Sequence, residues 1–503
     1  MNSHTNSTVV MDEDKITPVY AFDDTALNRV MPVCQVLRFP DIMDPEVLRT
    51  SLESLLEIGN WKKLRGRWRL DAAGKLTIHI PSKATHEHPS IRFKHTELAM
   101  PIEAHPQVSQ IARPWNDHSS VQASLSSLTE IWPVLIPPEW PQSMSDLADP
   151  KSDLPILGLH VISFSNATVV SLNYSHVLMD GGGANAFMKA WTNVVNGRQA
   201  DVAPLAGAWS DPLDLIRQDI EQNGAEKFVL QDRVIDMGDF LPDEKDARVQ
   251  DPLWDMSSPE SRWRTICLTC RAAGTILKQA RDTLPSDSFA TEDDMMAGWI
   301  AKTVAGFLPA SRPINLMRVY DLRRALAKDG LLEPEAAYVQ NTYQMAWTLT
   351  PEAKVLADSP LGKIAAGLRS TLSEQTTIGQ IRATIKARLD SGMTPLYGDP
   401  KGMIFTANSR VKNHNCRKMD FSGAVKSACG VDKNGDMADE DKLAQAGTPD
   451  YIETLVQLPG PPPGPNFIQG VIDRNGNRTI CTFLSNTMWL KMEEALKELD
   501  QLV

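Results

Sequence analysis

The sequence has no phosphate-cradling GxxxxGK, no dinucleotide-binding GxGxxG and no GxSxG nucleophile elbow, so nucleotide-binding folds and serine hydrolases lose their local signatures. It also has no apolar run near the roughly 20 residues needed to span a bilayer. Met1 to Lys15 are polar and mildly acidic, without the basic start and apolar core of a secretory signal. A cytoplasmic protein without a membrane partner is therefore expected. Positive charge is in short supply, with 51 Lys and Arg against 63 Asp and Glu and a net charge of −12. Phosphate backbones call for a basic surface, so nucleic acid is a poor general partner, although a local basic cluster could still take an anionic ligand. Six cysteines scattered over 503 residues do not make a disulfide framework. Cys267 and Cys270 form a lone CxxC in a strand-like run, Trp263 to Arg271, and with no second pair they read as core packing. His86-Glu87-His88 has ligand-like spacing on a polar stretch and reads as solvated, so no metal is expected. The acidic run Asp432 to Asp441 fails as a calcium loop, because Met437 stands at loop position six where a glycine is needed.

What is present is a mixed, soluble-type chain too long for one ordinary core, so two domains are the default. Val30 to Phe39 reads as a strand, and Asp44-Pro45-Glu46 then opens a helix with an N-cap, a proline in the first turn and an acid beside it. Thr291 caps another helix running to about Phe307. Ile314 to Val319 and Tyr343 to Leu349 read as strands, and Phe467 to Ile472 with Arg478 to Leu484 make a hairpin around Asn475-Gly476. Trp489 to Leu502 closes the chain as an amphipathic helix. The fold class is α/β. The division expected is a disordered N-terminus to residue 16, an N-terminal domain over 17–205, a crossover linker over 206–260 and a C-terminal domain over 261–503.

The stretch around which this organisation turns is Ser175-His176-Val-Leu-Met-Asp180-Gly181. It follows two apolar runs, Leu157 to Phe164 and Thr168 to Tyr174, which form a hairpin around Ser165-Asn166-Ala167. After it come three glycines and a segment in which Phe187, Met188, Trp191 and Val194 share one helical face. His176 thus stands at a strand end, where the backbone holds an imidazole firmly enough for a general base. The glycines relieve steric conflict where the chain must turn with positive φ, or let a ligand approach closely.

With these residues in order, the chain resembles the BAHD acyltransferases, and among them the fungal members that modify secondary metabolites. The hallmark HxxxDG stands as His176 to Gly181, and the second hallmark, Asp-Phe-Gly-Trp-Gly, stands altered as Asp420-Phe-Ser-Gly-Ala424. Leu64 to Arg67, Asp321-Leu-Arg323 and Asn341 fall in family order. The resemblance implies two chloramphenicol-acetyltransferase-like domains with a channel between them and His176 in its middle. Its implied activity is transfer of an acyl group from acyl-CoA, a co-substrate rather than a bound cofactor, to a small-molecule alcohol or amine by a monomeric enzyme. His176 is then the general base. Asp180 pairs with an arginine, for which Arg323 is the candidate, and Gly181 shapes the turn. Asp420 is a second catalytic candidate, with organisation of its loop as the alternative. Arg410, Lys412, Arg417 and Lys418 are candidates for the CoA phosphates, as a basic cluster in an acidic chain. Two other readings keep the fold: a cyclase that uses the same base without consuming CoA, and a binding protein without turnover.

Overall fold

The computed structural model describes residues 14–110, 120–123, 128–235, 261–412, 416–429, 445–457, 460, 462, 464–473 and 475–503. Two sheets flanked by helices carry the fold, which is the α/β class expected. One has five strands in the order Tyr451–Val456, Pro32–Phe39, Thr168–Ser175, Gly158–Ser163 and Arg92–Glu97. The other has seven, in the order Tyr343–Thr350, Ile314–Asp321, Met403–Ser409, Asn466–Ile472, Arg478–Leu484, Arg262–Leu268 and Val121–Ala123.

Each sheet borrows a strand from the other half of the chain, so the division at residues 206–260 does not separate the two sheets. Tyr451–Val456 pairs antiparallel with Pro32–Phe39, and Val121–Ala123 pairs with Arg262–Leu268. Backbone donors of one half thereby satisfy acceptors of the other, a link that leaves no local pattern in the sequence. The N-terminal boundary also moves. Lys15–Pro18 is a strand paired with Leu76–Ile80, so the stretch expected to be disordered to residue 16 is ordered from its last residues. Residues 1–13, the middle of the crossover at 236–260 and the acidic run Asp432 to Asp441 lie outside the described residues. The strand expected over Trp263 to Arg271 stops at Leu268, because Thr269 caps the Ala272 amide and a helix, Cys270–Asp282, begins. Cys267 is buried and Cys270 exposed, on two different elements. His88 pairs through Nδ1 with Asp153 at 2.7 Å.

The helix that follows the His176 loop, Gly181–Val195, seats Phe187, Met188, Trp191 and Val194 in the N-terminal core beside Leu48, Leu52 and Leu55 of the helix Pro45–Leu55. Trp191 donates its Nε1–H to Ser51 Oγ at 3.0 Å. Its ring meets Phe421 edge-on at 5.1 Å, so the polar tip and the aromatic body are both satisfied. Two of the glycines that open this helix are required by close approach rather than by left-handed backbone. A Cβ on Gly183 would enter the Val339 carbonyl, and one on Gly182 would enter the Asp321 and Arg323 side chains. The helix start is thus pressed against the other half of the molecule.

Candidate active site

His176 leaves the strand Thr168–Ser175 and is fixed from both halves. Its N–H donates to the Met31 carbonyl at 2.9 Å. Its own carbonyl accepts from Asn341 Nδ2, also at 2.9 Å. The next three residues, Val177, Leu178 and Met179, are buried in the N-terminal core, which anchors the loop from below. The ring meets Tyr343 edge-on, with centroids 6.3 Å apart. Nδ1 is buried without a hydrogen-bond partner among the described residues, while the residue as a whole is half-buried. Burial lowers the His176 pKa below the ordinary imidazole value, and Arg410 adds to this. The Asp180 carboxylate, the residue's own carbonyl and Asn341 only partly offset it. The imidazole is therefore neutral at physiological pH, the form a base needs.

Asp180 spends its carboxylate on the turn and on the other half of the chain. Oδ1 accepts the Gly183 N–H at 2.8 Å, capping the helix. Arg323 donates to the same carboxylate in fork fashion, Nη2 to Oδ1 at 2.7 Å and Nη1 to Oδ2 at 3.2 Å. The Thr342 N–H reaches Oδ2 at 2.9 Å. Arg323 also donates to the Tyr338 and Gln340 carbonyls and to Asp321. Burial disfavours the Arg323 charge, yet Asp180 and Asp321 together hold its pKa above the ordinary arginine value. Gly181 opens the helix whose N-cap is Asp180.

Asp420 is not brought to His176. Its motif lies at the other end of the helix Gly181–Val195, about 20 Å along the axis at 1.5 Å per residue. There the Asp420 carbonyl accepts from Asn196 Nδ2 at 2.7 Å, and Asn196 Oδ1 takes the Gly423 N–H at 2.8 Å. The Asp420 carboxylate accepts the Ser422 N–H at 3.0 Å and lies 3.7 Å from Arg198. These contacts fit the alternative expected for Asp420, organisation of its loop: the motif packs against the end of the helix, and Phe421 packs between Trp191 and Phe39. Gly423 sits against the Val195 carbonyl, where a larger residue would not fit.

The four basic residues do not form the expected open cluster. Arg410 turns inward, donating to the Thr454 carbonyl at 2.5 Å and lying 3.8 Å from the buried Glu453. Lys412 and Lys418 are exposed. The side chain of Arg417 lies outside what is described. Sequence reasoning missed Asp23, which is buried and accepts the Asn341 N–H and Nδ2–H on one oxygen at 2.7 and 2.8 Å. It gave no signal, since Asn341 stands 318 residues away. It also missed Tyr343, visible only as the start of a strand. A cleft lined by Tyr343, Trp347, Thr384, Arg388 and Tyr397 adjoins that ring. Another, lined by Pro32, Arg92, Asn173 and Ser175, adjoins the end of the His176 strand.

No family model matches the chain. Acetyltransferase adrJ of Penicillium rubens is 28% identical over 508 residues, covering 97% of this chain and 96% of the relative. O-acyltransferase pboC of Aspergillus ustus is 31% identical over 386 residues, covering 74% of this chain and 77% of the relative. Among solved structures, TRI101 of F. sporotrichioides complexed with coenzyme A and T-2 is similar over 96% of this chain and 97% of that one. Its TM-score is 0.63 and its sequence identity 15%, a likeness of fold. Together with the loop that presents His176, this similarity identifies the chain as an acyltransferase: it belongs to the BAHD-like acyltransferases of fungal secondary metabolism.

Proposed function

We propose that this enzyme transfers an acyl group from acyl-CoA to a hydroxyl of a small-molecule acceptor, with His176 as the general base. The observation that carries the reading is the setting of that imidazole: half-buried at a strand end, pinned through its backbone from both halves of the chain, with burial lowering its pKa. A neutral imidazole keeps one ring nitrogen unprotonated, and in this reading that nitrogen is Nε2. Nε2 takes the proton of the acceptor hydroxyl as its oxygen attacks the thioester carbonyl. The C–S bond then breaks, and the imidazolium returns the proton to the departing CoA thiolate, so ester and free CoA are formed with no net proton change. Holding both substrates at one base removes much of the entropic cost of a bimolecular step, an effect that reaches roughly 7 to 11 kcal/mol in well-oriented systems.

The names of the relatives, an acetyltransferase and an O-acyltransferase, support acetyl-sized donors and oxygen acceptors. The bound coenzyme A and T-2 of the TRI101 structure support a CoA thioester and a compact alcohol as the two substrates. Asp180, Gly181 and Arg323 serve by shaping the loop. Lys412 and Lys418 are the candidates for the CoA phosphates, with Arg410 acting on the site through its charge. The domains are proposed as the two sheets with their helices, each completed by one strand of the other half. The enzyme is proposed to act as a monomer in the cytoplasm. The test is incubation with a panel of acyl-CoAs and alcohol-bearing fungal metabolites, reading free CoA and the mass of the product. A mass gain equal to one acyl group, lost in His176→Ala, is expected; cyclised product without CoA release would overturn the reading.

A further inference from the structure

The buried turn Tyr20 to Asp24 carries a carboxylate that no step above uses. Asp23 is 4% exposed and makes no ion pair among the described residues. The turn is rigid: the Asp23 N–H donates to the Tyr20 carbonyl, and Asn28 Nδ2 bonds the Phe22 and Asp23 carbonyls. Asp23 Oδ1 grips both the backbone and the side-chain amide of Asn341. The side-chain amide also donates to the carbonyl of His176. One residue on, the Thr342 amide is gripped by Asp180. Two consecutive amides of the C-terminal half are thus held by two acidic side chains of the N-terminal half.

A mere clamp between halves would not need the orientation that Asn341 adopts. With both Asp23 and the His176 carbonyl taking its Nδ2, the amide oxygen Oδ1 is left buried without a hydrogen bond of normal geometry among the described residues, and the Asn341 side chain acts on the His176 ring beside it. Buried orphan acceptors are uncommon and mark strained or functional places. We propose that Asp23 is a positioning residue for the transfer reaction: through Asn341 it fixes the His176 carbonyl, and with it the direction in which the imidazole is presented. This rests on His176 being the base, and Asp23 itself touches no reacting atom.

The experiment measures kcat, the KM for acyl-CoA and Tm for the wild type, Asp23→Ala, Asn341→Ala, the double variant Asp23→Ala/Asn341→Ala and the exchanged pair Asp23→Asn/Asn341→Asp. Misplacement of a catalytic group by about 1 Å costs on the order of 10²-fold in rate, so Asp23→Ala is expected to lower kcat by about 10- to 100-fold, with the KM for acyl-CoA within about twofold. The double variant should be no slower than Asn341→Ala alone, because Asp23 acts through that side chain. In the exchanged pair the two side chains can bond again but nothing donates to the His176 carbonyl, so Tm recovers and kcat does not. That pair keeps the test alive if Asp23→Ala does not fold. Additive losses in the double variant, or a kcat that recovers along with Tm in the exchanged pair, would reduce Asp23 to a clamp and overturn the proposal. A wild type inactive with every acyl-CoA fails the reading beneath it, whereas an active wild type with unchanged kcat in Asp23→Ala sinks the positioning role alone.

Discussion

The helix Gly181–Val195 has a motif aspartate beside each end, Asp180 as its N-cap and Asp420 in a loop packed at its far end, and the two ends differ in almost every physical respect. At its start the Asp180 side chain is 6% exposed, and it holds Gly183, Arg323 and Thr342. At its far end the Asp420 side chain is 47% exposed, its arginine is 3.7 Å away, and its firm contacts are to its own loop. Both lie in hallmark sequences, so prominence in the sequence does not rank them. Burial and partners do. A buried ion pair broken on one side leaves an uncompensated charge, while an exposed pair is largely screened by water.

The largest effect should fall on His176, beside the buried end. His176→Ala should lower kcat by about 10² to 10⁴ with Tm nearly unchanged, since general-base catalysis supplies a factor of that order. Steady-state kinetics with a melting curve check it. Next comes Asp180→Ala, which removes the buried one of Arg323's two carboxylate partners and leaves it the more exposed Asp321: a loss of up to about 3 to 5 kcal/mol of stability is expected by denaturant titration. Activity per folded molecule should fall with it, because Thr342 and the helix start lose their anchor. Smallest is Asp420→Ala at the exposed end, for which about 0 to 1 kcal/mol and a kcat within a few-fold of wild type are expected. A kcat loss in Asp420→Ala as large as that of His176→Ala would erase the contrast between the two ends. Reversing Lys412 and Lys418 to Glu sharpens it from outside the helix: KM for acyl-CoA should rise while kcat and the acceptor KM stay close to wild type.

Most local elements were legible because they follow from spacing. The stripe Phe187, Met188, Trp191 and Val194, the Thr291–Asp294 capping box and the Asn475-Gly476 hairpin are all set by neighbours in the chain. Glycines after Asp180 were legible as necessary, although the reason proved to be the approach of Val339 and Arg323. What sequence could not show were contacts between distant segments. The strand Tyr451–Val456 joins a sheet whose next strand lies over 400 residues earlier. Arg410 turns toward Glu453 and Thr454 instead of solvent, and Asp23 meets Asn341 across the seam. Each depends on how the two halves dock, and docking leaves no periodicity in either partner.

The proposed base catalysis requires a desolvated, neutral imidazole at position 176. Its most direct measurement is the NMR titration of the ring, with the His176 signal among the ten histidines assigned by its loss in His176→Ala. Because burial lowers the folded-state pKa, the ring should stay neutral as pH falls past about 6.5, the ordinary histidine value, and take its proton only below it, with kcat falling over the same range. A titration at or above that value would show a ring that is solvated or charge-stabilised, and would contradict the base proposed here.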